Sequence, residues 1–147
     1  MGFNIKQMKI RGRVWKFGDS IETDAINPYY RFPTMEELKQ HTMEVYRPEF
    51  PQQVKPGDIM VAGRNFGCGS SRPGLVLREV GVAAIIAESV SRLFLRNSIS
   101  RGIPIFVAPG VTAIVQDGET LEVDYPKGVV VNAKSGASAP LRKYPPA

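Results

Sequence analysis

Asp58-Ile59-Met60-Val61-Ala62-Gly63-Arg64-Asn65-Phe66-Gly67-Cys68-Gly69-Ser70-Ser71-Arg72-Pro73-Gly74-Leu75-Val76-Leu77-Arg78-Glu79-Val80 runs from an apolar stretch, through a turn of glycines, hydroxyls and arginine, into a segment of helical character. That order predicts a strand, a tight turn and a helix start. Glycine permits φ > 0 and a close approach of ligand to main chain, and free N–H groups at a helix start attract anions. A carboxylate or phosphate is therefore expected at this turn.

Downstream the pattern repeats. After the strand at 59–62 come a helix over 73–80, a strand over 83–87, a helix over 90–101 and a strand over 103–108, with short connections. Such alternation predicts an α/β fold with parallel strands joined by crossover helices. Ser89 suits the N-cap of the second helix and Gly102 its C′ position. Leu93, Phe94 and Ile99 read as that helix's core face; Arg92 and Arg96, at i and i+4, either bridge to sheet or solvent or serve the site.

Upstream, residues 9–17 alternate as a strand and Gly18-Asp19 turns the chain. Residues 28–57 hold five prolines and no strand pattern. They read as a long excursion carrying a short helix over 34–42, with Thr34 as N-cap and Glu37 at the capping-box spacing. Connections of this length serve as lids or binding loops. The last third reads as short strands at 111–115, 120–123 and 129–132, and the tail from Ser135 as extended or frayed.

A chain of 147 residues, 43% of them hydrophobic, is long enough to bury one core and predicts a single domain, 1–147. No apolar run nears the roughly 20 residues of a membrane span, and residues 1–11 lack the features of a secretory signal. The single cysteine, Cys68, excludes an intrachain disulfide and suits a reducing, cytoplasmic setting. The net charge of +5 is scattered, without a lysine–arginine block interleaved with aromatics, so nucleic acid is a disfavoured partner.

Several chemistries fail on residue count. His41 is the one histidine and reads as a surface residue on a short helix, so a metal site built by this chain alone lacks ligands. Cys68 alone cannot hold an iron–sulfur cluster and reads as a small buried turn residue. The turn is not a Gly-x-Ser-x-Gly elbow, lacks the P-loop lysine, and has Arg72 where a dinucleotide fingerprint needs its third glycine. What remains is a hydroxyl beside an arginine. Surrounding dipoles and a cation can make such a serine a base, and Arg72 can grip a carboxylate through two parallel bonds; the implied chemistry is proton transfer on an anionic substrate. Capping the helix that Pro73 begins accounts equally well for Ser70 or Ser71. The local residues leave both readings open.

Asn65-Phe66-Gly67-Cys68-Gly69-Ser70-Ser71-Arg72, then Ala87-Glu88-Ser89 with Arg92, Phe94, Arg96 and Asn97, then Gly102-Ile103-Pro104, resembles the small-subunit family of 3-isopropylmalate dehydratase in the aconitase superfamily. Gly18-Asp19-x-Ile21-x-Thr23-Asp24-x-Ile26 also resembles that family's N-terminal signature, and the motifs span roughly residues 9–108 in the family's order. The resemblance implies a three-layer β/β/α swivelling domain that closes over a separate large subunit carrying a 4Fe-4S cluster, with no cofactor in this chain. It implies Ser70 as the base, Arg72 beside it, Ser71 and Arg72 on a substrate carboxylate, Asp24 near the site and Arg31 in substrate recognition within 28–57; an Asx bond that anchors its turn is the alternative for Asp24.

The implied activity is that of a hydro-lyase or isomerase on a 2-hydroxy di- or tricarboxylic acid, with leucine biosynthesis as the default setting. The chain departs from the family pattern where Pro73-Gly74 replaces the usual Glu-His, and where Pro28-Tyr29-Tyr30-Arg31-Phe32-Pro33 is bulkier than the usual Tyr-Leu loop; both bear on the substrate. Homoaconitase and dimethylmalate dehydratase types are the related alternatives. A non-catalytic anion-binding module and an RNA-binding regulator are the rivals from other classes.

Overall fold

Residues 59–62 form the central strand because an unbroken apolar run suits a strand covered on both faces. The computed structural model describes residues 9–70, 72 and 74–142. In chain order these form β1 (Lys9–Lys16), α1 (Thr23–Ile26), α2 (Met35–His41), α3 (Phe50–Gln53), β2 (Ile59–Ala62), α4 (Leu75–Glu79), β3 (Ala84–Ala87), α5 (Arg92–Ser100), β4 (Ile105–Val107), α6 (Val111–Ile114), β5 (Thr120–Asp124), β6 (Val129–Asn132) and β7 (Ser138–Pro140). The strands join in the order β4-β3-β2-β1-β5-β6-β7. The first four in that order run parallel, and β5, β6 and β7 continue from β1 as an antiparallel meander.

Strand β1 belongs to both halves. Val14, Trp15 and Lys16 pair with β2, while residues 9–13 pair with β5. Gly12 stands at the changeover, where a Cβ would lie 2.1 Å from the Gly57 carbonyl oxygen, so only glycine fits. The period of a strand then separates two cores. Met60 and Ala62 of β2 join Trp15, Ile85, Phe50, Leu77 and Phe94 under the helices. Ile59 and Val61 join Ile86, Phe106, Leu121, Val123 and Val130 between the parallel and antiparallel halves. Helices, parallel strands and antiparallel strands thus form the three-layer β/β/α arrangement that the resemblance implied.

The excursion is held at named points. Thr34 caps α2 by accepting from the Glu37 N–H at 3.2 Å, as its spacing predicted. Phe50, fully buried, packs edge-on against Trp15 at 5.1 Å and Phe17 at 5.5 Å. Arg47 lies over the Trp15 ring at 4.7 Å and donates to the carboxylates of Asp117 and Glu49. One guanidinium therefore ties the excursion to the turn before β5.

Four expectations need correction. Residues 111–115 are not a strand: α6 forms there because Gly110 takes φ 95° and the Glu88 carboxylate accepts from the Gly110 and Thr112 N–H groups and the Thr112 hydroxyl. The tail is not frayed as far as 142, since β7 pairs with β6 and the Arg142 N–H donates to the Val107 carbonyl at 2.8 Å. The N-cap position of α5 is held by Ser91 rather than Ser89, whose hydroxyl instead accepts from the Asn65 N–H. On α5 only Phe94 of the expected apolar face is buried; Leu93 and Ile99 stand out, because the inward positions are filled by Phe94, Leu95 and Ser98.

Candidate active site

The turn after β2 coils through three left-handed residues, Asn65 at φ 59°, Gly67 at 78° and Gly69 at 108°. At Gly67 a Cβ would sit 2.2 Å from the Phe94 ring, so the glycine serves both conformation and contact. Short parallel bridges, Glu22 to Cys68 and Phe66 to Val90, lay this turn beside two other segments. The turn's N–H groups are mostly committed within the protein. Those of Gly67 and Cys68 donate to the Ile21 carbonyl, that of Arg64 to Asp19, that of Phe66 to Ser89 and that of Ser70 to Thr23. Helix α4 begins only at Leu75, with Gly74 at its N-cap and no side-chain cap. The helix start therefore lies several residues beyond the turn rather than directly after Ser70, and Ser70 does not cap that helix. Ser71 and Pro73 lie outside the described residues.

Ser70 is half-buried, and its hydroxyl lies 2.8 Å from the Thr23 hydroxyl. The Ser70 N–H donates to the same Thr23 oxygen at 2.9 Å, and the Arg72 N–H reaches the Ser70 oxygen at 3.4 Å. Arg72 itself is exposed, with its guanidinium carbon 3.5 Å from the centroid of the Tyr29 ring. A ring face attracts a cation while leaving its N–H donors usable for bidentate contact with a carboxylate. Ser70 and Arg72 are thus neighbours at the surface, linked through main chain rather than through the guanidinium.

Asp24 and Arg31 come together elsewhere. Both line a cavity of about 200 Å³ shared with Glu22, Tyr30, His41 and Glu44. Arg31 lies 5.4 Å from the centroid of Phe32, which stacks on His41 at 3.6 Å, and the His41 ring is bonded to the Glu44 carboxylate at 2.9 Å. His41 is therefore a half-buried partner within the excursion and not the plain surface residue expected. Asp24 is exposed and no hydrogen bond of its side chain occurs among the described residues, so an Asx anchor is not what holds it. Ser70 and Arg72 do not line this cavity. The pieces adjoin through Thr23 and Asp24 on one side and through Tyr29 and Arg31 on the other.

Cys68 is half-buried, its thiol directed to the Ile21 carbonyl at 3.7 Å. No group of three or more His, Cys, Asp or Glu among the described residues is placed to hold a metal ion. Arg92 and Arg96 stand exposed along α5. Sequence reasoning quoted Thr23 and Tyr29 without giving them roles. For Thr23 the usable signal was its place directly before Asp24 in the glycine–aspartate motif; for Tyr29, its aromatic face in a loop read as substrate-recognising.

The Aconitase C-terminal domain family matches residues 6–108. The 3-isopropylmalate dehydratase small subunit of Thermodesulfovibrio yellowstonii is 44% identical over 143 residues, covering 95% of this chain and 85% of that protein. The methanogen homoaconitase small subunit of Methanothermobacter thermautotrophicus is 46% identical over 139 residues, covering 92% and 80%. The crystal structure of 3-isopropylmalate dehydratase from Methanocaldococcus jannaschii superposes with a TM-score of 0.83 at 39% identity, covering 92% of this chain and 82% of that one. The chain belongs to the Aconitase C-terminal domain family, among the small subunits of the 3-isopropylmalate dehydratase type.

Proposed function

We propose that this chain is the small subunit of a cytoplasmic hydro-lyase of the 3-isopropylmalate dehydratase type, a single swivelling unit that works docked against a large subunit. What carries this reading is the surface placement of the Ser70 hydroxyl, at 2.8 Å from a second hydroxyl and beside Arg72, in a chain closely similar to such subunits. Ser70 takes the proton next to a substrate carboxylate, and Arg72 and Ser71 hold that carboxylate. Asp24 and Arg31 face the rest of the substrate, with residues 28–57 as the recognition segment. The described residues do not supply the ligands of a 4Fe-4S cluster, which we assign to the large subunit, where it would assist departure of the substrate hydroxyl. Returning water with the opposite regiochemistry makes the overall reaction an isomerisation.

The substrate we assign is 3-isopropylmalate, within leucine biosynthesis. A tricarboxylic homologue is the second reading, supported by the 46% identity to a homoaconitase small subunit and by an arginine in the recognition cavity. The experiment is reconstitution with a large subunit of the same enzyme type, followed by turnover of both hydroxy acids. The chain alone should be inactive, and Ser70→Ala should lose most turnover, about 100-fold or more, while the complex still assembles. Turnover retained in that variant removes Ser70 as the base. Calorimetry showing citrate-like acids bound by the chain alone would favour a free-standing anion-binding module, and salt-dependent RNA affinity would favour an RNA-binding regulator.

A further inference from the structure

We infer that Thr23 is a positioning residue for the Ser70 hydroxyl and stabilises its deprotonated form. The inference rests on the reading of Ser70 as the base.

Thr23 is 1% exposed, and its hydroxyl meets the same serine twice. It accepts from the Ser70 N–H at 2.9 Å and lies 2.8 Å from the Ser70 oxygen. The first bond sets the serine's backbone and the second sets its side chain, so one buried atom fixes where the serine oxygen points. Thr23 is itself held at both main-chain groups: its N–H donates to the Cys68 carbonyl at 2.9 Å, and its carbonyl accepts from the Asn27 N–H at 2.8 Å. A β-branched side chain adds a stiff χ1. Gly69 takes part in this fit, since a Cβ there would lie 3.3 Å from the Thr23 hydroxyl oxygen.

Proton bookkeeping gives the contact a direction. Two hydroxyls facing each other share one hydrogen bond, and either can donate while both are protonated. Once Ser70 has lost its proton it can only accept, so Thr23 must donate. The bond is then charge-assisted, shorter and stronger, and a bond that favours the charged form lowers that group's pKa. The long contact from the Arg72 N–H acts in the same sense. When Ser70 takes the substrate's proton, it becomes a hydroxyl again and the preference for Thr23 as donor ends. The serine is thereby held basic without its arginine touching it through the guanidinium, which the structure places over Tyr29.

The test uses the reconstituted complex. Thr23→Val keeps the shape and removes the hydroxyl; the expected result is a kcat lowered roughly 10- to 100-fold with KM within about threefold, and the acid limb of the kcat–pH profile displaced upward by about one unit. Thr23→Ser should restore both rate and profile. A structural role alone would lower the melting temperature or weaken assembly and leave the limb in place. If Thr23→Val does not assemble, Thr23→Cys, with a weaker donor of near-native size, should show an intermediate rate and a limb displaced in the same direction. A pH profile matching the parent's in the variant that assembles overturns the inference. Ser70→Ala separates the two claims. An inactive Ser70→Ala beside a normal Thr23→Val sinks only the role of Thr23, whereas an active Ser70→Ala removes the base and the positioning role with it.

Discussion

Gly67 shows how much of this site depends on one missing carbon. It combines φ 78° with a ring of Phe94 at 2.2 Å from where a Cβ would stand, so Gly67→Ala meets strain and collision together. We expect a loss of at least about 2 kcal/mol, read from urea denaturation, with Gly18→Ala, where nothing lies within 4 Å of an added Cβ, as the permissive comparison. Equal midpoints for the two variants would refute the packing argument. At this scale the sequence was legible where chemistry is local: the glycine turn, Ser70 and Arg72 are contiguous. The partnership of Thr23 with Ser70 was not, because it joins residues 47 apart and depends on the bridge between Glu22 and Cys68. The seat of the Arg72 guanidinium over the Tyr29 ring was not legible for a related reason, since Tyr29 comes from another segment.

Helix α6 illustrates how a distant carboxylate decides an element. Residues 111–114 carry β-prone valine, threonine and isoleucine, and propensity alone reads them as a strand. Glu88 overrides it by satisfying the first N–H groups of the helix, and the motif Ala87-Glu88-Ser89 gave no hint of where that side chain points. Burial raises the affinity of Glu88 for a proton, but the bonds from Gly110 and Thr112 outweigh it, and its pKa falls below the ordinary 4.5. The unfolded chain therefore binds this proton first as pH falls. The stabilisation is complete above about pH 4.5 and is lost as the pH drops through the folded value. Glu88→Gln should cost about 1–2 kcal/mol at neutral pH, the partly exposed carboxylate being screened by solvent. It should also flatten the acid slope of stability, which thermal melts at stepped pH would reveal. An unchanged slope would show that Glu88 does not cap α6. Asp117, held low against its burial by Arg47 and the Lys16 N–H, contributes a slope of the same sign.

On the scale of the whole molecule, the two kinds of sheet meet at β1, and the changeover depends on Gly12. Gly12→Ala brings a methyl against the Gly57 carbonyl and should cost about 1–3 kcal/mol by denaturant titration while leaving the turn after β2 intact. A parent-like midpoint would mean that β1 is not packed against the Gly57 carbonyl. The parallel half was readable from the alternation of apolar runs and helices between 58 and 108. The antiparallel half was readable as short strands, but its closure was not: β7 is three residues with a proline, too short for periodicity to announce it. Its pairing depends on Leu141 being buried beside Ala139.

The clamp made by Arg47 has a consequence for how freely the proposed recognition segment can vary. The chain between Asn27 and Arg47 leaves the body at a buried asparagine and returns at a guanidinium fixed to Asp117. Between them, Thr42 bonds the Ile26 carbonyl and Met43 is fully enclosed. A segment moored in this way behaves as a cassette: with Thr42, Met43 and Arg47 retained, Tyr30 and Arg31 at its tip can be exchanged without disturbing the contact of Thr23 with Ser70, whereas Tyr29, which carries the guanidinium of Arg72, must stay.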